Sequence, residues 1–252
     1  MALTRPVTAA IARCELTHLE RIAIDVDVAR AQHRSYEHAL EEAGCMVQRI
    51  DANQEWPDAV FIEDTALVLA ELALIARPGA ASRRAETEGV ERALAERRTV
   101  QRIEAPGTLD GGDVLCVGRS IFVGRSSRTN TAGIQQLQSL VRGFGYAVRP
   151  VAVSGCLHLK SAVTAVADDT LLVNREWIPD ADLDGFELID VDPDEPFAAN
   201  ALRVGDRLIH AAAFRRTRER LERRNYDVIP VELSELAKAE GAVTCCSLLV
   251  PA

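Results

Sequence analysis

A chain of 252 residues, 48% hydrophobic and 27% charged, can bury a substantial core as one large domain or two small ones. Its net charge of -9 speaks against broad binding to nucleic acid or anionic membrane, both of which need basic clusters. The longest apolar stretch, residues 66–76, is broken by Glu71 and is too short to span a bilayer. Residues 1–16 hold an early Arg5 but neither an apolar core nor a cleavage site, so no secretion signal is expected. Six cysteines, at positions 14, 45, 116, 156, 245 and 246, form no CxxC pair. Neither a zinc site nor a disulfide framework is expected. A reduced cytoplasmic protein with no metal and no cofactor is the default.

Along the chain, "VTAAIARC" near the start reads as a β-run. "YEHALEEAGCMVQRI" is an amphipathic helix closed near Gly44, followed by a strand around Val47. "VFIEDTALVLAELALIARPG" then holds a pair of strands, and "VERALAERRTVQRI" a helix with its strand at Val100 to Ile103. "GGDVLCVGRSIFVG" is a hairpin turning at Gly118-Arg119, before the helix and Val148 strand of "IQQLQSLVRGFGYAVRPVAV". "AVTAVADDTLLVN" turns at Asp168-Asp169 and leads through a shorter, poorer helix to "GFELIDV". "ALRVGDRLIHA" turns at Gly205-Asp206 and leads to the helix and Val228 strand of "RTRERLERRNYDVIPVEL". These turn pairs suit short hairpins. The C-terminal "GAVTCCSLLV" is expected to be a strand completing a fifth pair with "VTAAIARC". The unit strand, strand, helix, strand thus repeats about five times, and such a repeat decides the fold. A (β/α)₈ barrel would suit the length but expects single strands between helices.

Polar residues interrupt the apolar pattern at comparable places in these units: Glu63, Asp110, His158, Asn200 and Cys245. Their separations are 47, 48, 42 and 45, and a five-fold arrangement would bring all five to one axis. In a strand, the neighbours Cys245 and Cys246 face opposite ways. A Cys, a His and an acid on separate elements are the parts of a thiol nucleophile system, in which the thiolate attacks and its acid/base partner is held by a third group. Asp110 in "TLDGGDV" precedes two glycines, where the backbone can turn sharply at a strand entrance. His158 stands between leucines in "GCLHLKSAVT". Each of these taken alone is more often structural than catalytic.

Taken together, "PDAVFIEDTAL", "APGTLDGGDVL", "SRTN", "LHLKSAVT" and "GAVTCCSL" resemble, in order and spacing, the dimethylarginine dimethylaminohydrolases of the guanidino-group-modifying superfamily. The resemblance runs from about residue 5 to residue 250. It implies an α/β fold, a five-bladed α/β propeller of ββαβ modules with pseudo-five-fold symmetry, as a single catalytic domain over residues 1–252. It implies Cys245 as nucleophile, His158 as general acid/base and Asp110 as the carboxylate that orients His158, with Cys246 a packing residue. Asp110 stands where some bacterial relatives have Glu. Asp58, Glu63 and Asp64 resemble the family's acidic substrate-binding residues. Arg83 and Arg128 resemble those that hold the substrate's α-carboxylate, and Leu16 and the carbonyl of Ala239 those that lie against its amino-acid part.

These residue types suit a cationic guanidino amino acid. A guanidinium is a planar fork of five N–H donors that stays charged, and carboxylates are its natural acceptors. The resemblance implies hydrolysis of an Nω-methylated arginine to citrulline and methylamine or dimethylamine through a covalent thiouronium on Cys245. An apolar setting raises a thiol's pKa and a bound cation lowers it, so substrate is expected to help generate the nucleophile. A deiminase or hydrolase of arginine, agmatine or citrulline is the nearest rival. Against it, Lys160 in "HLK" occupies the place of the guanidinium-binding acid in an arginine deiminase HxD element. A non-catalytic amino-acid-binding propeller would have no need of Cys245, His158 and Asp110 together. No nucleic-acid or membrane partner is expected, and a homodimer is left open.

Overall fold

Five three-stranded sheets follow one another around a ring. The computed structural model describes residues 1–251; Ala252, the last residue of the expected domain, lies outside it. In the first sheet β1 (Ala2–Thr4) runs parallel to β2 (Val47–Arg49), joined through helix α1 (Val26–Glu42). The second pairs β3 (Ala66–Val68) antiparallel with β4 (Leu72–Ile75), and α2 (Thr87–Ala95) returns the chain to β5 (Thr99–Arg102), parallel to β4. The third repeats this with β6 (Val114–Val117), β7 (Ser120–Arg125), α3 (Thr131–Val141) and β8 (Ala147–Ala152). After a one-turn helix α4 (Leu159–Ala162), the fourth holds β9 (Val163–Ala165), β10 (Thr170–Val173) and β11 (Glu187–Asp190). The fifth holds β12 (Ala201–Val204), β13 (Arg207–Ala211), α5 (Arg215–Glu222) and β14 (Asp227–Val231). Past α6 (Ser234–Ala237), β15 (Leu248–Leu249) adds antiparallel to β1 and closes the ring. This is a five-bladed α/β propeller of ββαβ units.

The alternation has a local cause. Parallel neighbours cannot be joined by a tight turn, so each hairpin is followed by a crossover. Asp25 caps α1 by accepting from the Asp27 and Val28 amides, and Asn130 caps α3 through Gly133, which satisfies backbone donors left over at a helix start. Between each two blades lies one apolar cluster. Leu72 and Leu74 meet Val114 and Ile121, Phe122 meets Leu171 and Val173, and Leu172 meets Ala201 and Leu208. Ile209 and Val231 meet Tyr36 and Leu40, and Leu3 and Leu248 meet Ala73 and Ile75. Each large side chain so buried contributes about 1.5–3 kcal/mol, and no blade buries its faces without both neighbours.

Three expected elements differ. "VTAAIARC" is not the fifth strand pair: Ala9–Arg13 form a 3-10 helix, because β1 already has β2 on one side and β15 on the other. "GAVTCCSLLV" is a strand only at Leu248–Leu249; Thr244–Cys246 form a 3-10 turn, since the Thr244 amide is bonded by the Asn200 side chain and the Cys245 amide by the Ala242 carbonyl. The two cysteines still diverge, through the turn rather than through strand alternation. The poor helix of the fourth unit is the 3-10 segment Asp180–Leu183, after Pro179, which cannot continue a helix backwards.

Candidate active site

The Thr244–Cys246 turn, the start of α4 and the loops before β3 and β6 meet at one end of the ring. A small, partly enclosed cavity there, of about 20 Å³, is bounded by Cys245, His158, Asp58, Asp64, Arg83 and Arg128, with Glu15, Phe61, Leu157, Ala239 and Glu240 completing it. Cys246 turns away, fully buried among the residues of α1 and α6.

His158 immediately precedes α4, in extended backbone. Its Nε2 lies 3.1 Å from Asp110 Oδ2, and its Nδ1 lies 4.0 Å from Asp64 Oδ1. Asp110 does not face the cavity; it stands behind the ring, with its other oxygen accepting the Gly79 amide at 2.8 Å. Asp64 accepts the Gly112 amide at 2.9 Å and Arg83 Nη1 at 2.5 Å. Burial opposes an imidazolium here, but Asp64, Asp113 and Asp110 outweigh it and raise His158 to about 9. Burial likewise opposes the Asp64 carboxylate, and His158 and Arg83 outweigh it, holding Asp64 at about 2. The imidazolium–carboxylate form is therefore the resting state at neutral pH. Asp113, the second acid of "LDGGD", accepts the Leu159 amide at 3.0 Å and so anchors α4.

The thiol is in the opposite condition. Burial, then Glu63 and Asp64, push the Cys245 pKa far above that of a free cysteine, opposed by Lys160. Asp58, whose carboxylate accepts the Glu15 amide at 3.2 Å, is raised to about 6 by burial. The site thus holds a neutral thiol beside carboxylates, an arrangement that a cation would relieve.

Besides Asp110, two of the expected residues, Glu63 and Leu16, lie off this cavity. Glu63 is clasped by Lys160 Nζ at 2.6 Å and the Thr244 hydroxyl at 2.8 Å, and it borders a second cavity of about 360 Å³ on the ring axis, which residues of every blade line. Leu16 packs instead against the cluster around α1. Arg83 borders the cavity, but its donors go mostly to Asp64, Glu86 and the Phe61 carbonyl. Arg128 is less committed, with Nη2 on Thr17 Oγ1 at 3.2 Å and Nη1 3.8 Å from Asp110. Sequence reasoning missed Glu240, whose carboxylate accepts the amides of Thr17, His18 and Leu19 at 2.6–3.1 Å and holds that loop over the cavity. Its left-handed backbone, φ 57°, is invisible in sequence. Asp64, Asp110 and His158 bring ligand atoms within 4.8 Å of one another, but amides, an arginine and the imidazolium already engage the two carboxylates.

Two substitutions probe the frame. A Cβ at Gly112 would lie 2.6 Å from His158 Nδ1 and 2.9 Å from Asp64 Oδ1, so Gly112→Ala must push the ring aside. Turnover should fall about 10²-fold with the melting temperature changed by only a few degrees; a variant of unchanged kcat would mean that the ring's placement is not critical. Lys160→Met leaves the Glu63 carboxyl buried without its cation. Breaking a buried pair from one side costs about 3 kcal/mol or more, readable as a lower urea midpoint.

Among the described residues no helix is long and apolar enough to cross a membrane. The family model described as "N,N dimethylarginine dimethylhydrolase, eukaryotic" matches residues 4–250. The chain is 43% identical over 249 residues to an N(G),N(G)-dimethylarginine dimethylaminohydrolase of Streptomyces coelicolor, covering 98% of this chain and 95% of the relative. It is 37% identical to that of Pseudomonas aeruginosa, covering 88% and 89%. A solved structure of the Pseudomonas aeruginosa protein with a cysteine changed to serine, complexed with citrulline, superposes with a TM-score of 0.93 at 33% identity, over 98% and 97% of the two chains. A dimethylarginine dimethylaminohydrolase with a histidine changed to glycine, an adduct with S-methyl-L-thiocitrulline, gives 0.93 at 34% identity, over 98% of each chain. The ring of ββαβ blades, the match over residues 4–250 and the identities agree: the chain belongs to the dimethylarginine dimethylaminohydrolases.

Proposed function

We propose that the protein hydrolyses Nω-methylated arginines to citrulline and methylamine or dimethylamine, with Cys245 as nucleophile, His158 as acid then base, and Asp110 as the residue that holds the imidazole. The observation that carries this reading is that Cys245, His158, the carboxylates of Asp58 and Asp64 and two arginines border one small cavity. The substrate guanidinium lies against Asp58 and Asp64, and Arg128, with Arg83, takes the α-carboxylate. The cation beside Cys245 offsets the field of Glu63 and Asp64, and the thiol loses its proton to water. The thiolate attacks the guanidinium carbon. His158, already an imidazolium at rest, gives its proton to the departing amine as the C–N bond breaks, leaving a thiouronium on sulfur. The neutral imidazole then takes a proton from water and the hydroxide adds to the same carbon; as the C–S bond breaks, the new hydroxyl gives its proton to the departing sulfur, releasing citrulline and the Cys245 thiol. Acid–base help of this kind is worth about 10²–10⁴-fold.

The cavity holds no more than a water or so, so substrate needs the loop of residues 15–19, bonded to Asp58, Arg128 and Glu240, to shift outward. Six unpaired thiols suit a reduced cytoplasmic setting. Colorimetric citrulline detection with dimethylarginine, monomethylarginine, arginine and agmatine offered separately tests the reading. Citrulline is expected from the methylated arginines; faster turnover of arginine would move the assignment to a deiminase, and silence on all four would sink it.

A further inference from the structure

Of the five axial positions at regular spacing, Asn200 has no part in the chemistry above. It precedes β12, is 4% exposed, and reaches two other blades. Its Nδ2 donates to the Thr244 hydroxyl at 3.0 Å and to the Lys160 carbonyl at 2.9 Å, and its Oδ1 accepts the Thr244 amide at 3.0 Å. Thr244 Oγ1 passes its own proton on to Glu63 Oε2 at 2.8 Å, and Lys160 Nζ holds Glu63 Oε1 at 2.6 Å. One amide therefore grips the residue before Cys245 at both backbone and hydroxyl, and binds it to the segment that starts at His158.

We infer that Asn200 is a positioning residue for the nucleophile: through Thr244 it fixes the Thr244–Cys246 turn against the His158–Ala162 segment, so that the Cys245 sulfur and the His158 ring are presented to the cavity in register. This rests on the reading of Cys245 as nucleophile. The chemistry of the side chain fits the task. A carboxylate here could accept the Thr244 amide but could donate neither to the hydroxyl nor to the Lys160 carbonyl, and an aliphatic residue could do none of the three. The chain of donors also ends on Glu63, whose charge raises the Cys245 pKa, so the Thr244 proton offsets part of a charge that opposes thiolate formation. The groups proposed to bind substrate, Asp58, Asp64, Arg83 and Arg128, belong to other blades and make no bond to Asn200.

Positioning predicts a particular split of kinetic constants. Displacing a reacting atom by about 1 Å costs on the order of 10²-fold, so Asn200→Ala and Thr244→Val should each lower kcat by about that factor while KM stays within about threefold. Thr244→Ser, which keeps the hydroxyl, should recover most of what Thr244→Val loses. A second measurement needs no substrate. The pH at half-maximal alkylation of Cys245 by iodoacetamide, followed by intact mass, should move upward in Asn200→Ala and Thr244→Val and stay in place in Thr244→Ser. A wild-type protein silent on every methylated arginine would remove the proposed function, yet the alkylation series would still decide this inference. Should Asn200→Ala fail to fold, the Thr244 pair decides it. An unchanged alkylation profile in Thr244→Val, a Thr244→Ser protein as impaired as Thr244→Val, or a loss that appears as raised KM overturns the inference.

Discussion

Cys245→Ser is expected to lose citrulline release by at least about 10⁴-fold while keeping its melting temperature within a few degrees. The substitution changes one atom of similar size in a cavity wall, so packing barely notices it. The chemistry does. A hydroxyl gives up its proton far less readily than a thiol, and this position already disfavours an anion through burial and through Glu63 and Asp64. The relief that a bound guanidinium offers is enough to ionise sulfur and not enough to ionise oxygen. Binding should survive, so calorimetric titration with dimethylarginine should still give heat when turnover has gone. Activity within about 100-fold of the original protein would remove Cys245 from the nucleophile's role.

His158→Asn should cost at least about 10³-fold in kcat, and it should also change how stability depends on pH. The folded imidazole titrates at about 9, above the ordinary value of about 6.5. A group whose folded pKa is raised adds stability that is fully present below the unfolded value and is lost as pH climbs through the folded one. The window is therefore pH 6.5 to 9, and a shift of this size corresponds to about 3 kcal/mol. Urea midpoints of the original protein should fall across that window, and those of His158→Asn should stay nearly level there. The same interaction viewed from Asp64, held at about 2, is lost at the other limit, as pH falls below about 4. Parallel slopes in the two proteins would show that His158 is not the group titrating. In the active protein kcat should decline above pH 9, because the departing amine then finds no proton.

The repeat was legible because each blade obeys local rules: a hairpin at a turn pair, then a crossover with a helix-period apolar face, then a strand. The spacing of Glu63, Asp110, His158, Asn200 and Cys245 was legible for the same reason, since each stands where its unit approaches the axis. The His158–Asp110 contact at 3.1 Å could be anticipated from that spacing. What sequence could not supply were features decided by partners far along the chain. The Thr244–Cys246 segment reads as a strand by composition, and the Asn200 side chain, 44 residues away, helps to turn it by taking the Thr244 amide. Ala9–Arg13 read as a strand until β1 is seen to have no free edge. Glu63 looked like a ligand for substrate, and its capture by Lys160 depends on two side chains 97 residues apart meeting at the axis. Glu240 carries no motif at all, because its task is to accept backbone amides, which any sequence provides.

The sheet that holds β15 differs from the other four in being assembled from opposite extremes of the described chain, with Leu3 facing Leu248 and Ala2 facing Leu249. Its inner rim carries the sulfur. Loop closure over so long a contour is entropically the most demanding pairing in the molecule, and a two-residue strand is its only ladder on that side. Under heat or mild denaturant this joint is the natural first place to part, as local opening concentrates where few bonds hold. Catalysis would then fade while most of the circular dichroism signal persisted, so the enzyme would fail as a catalyst before it failed as a fold.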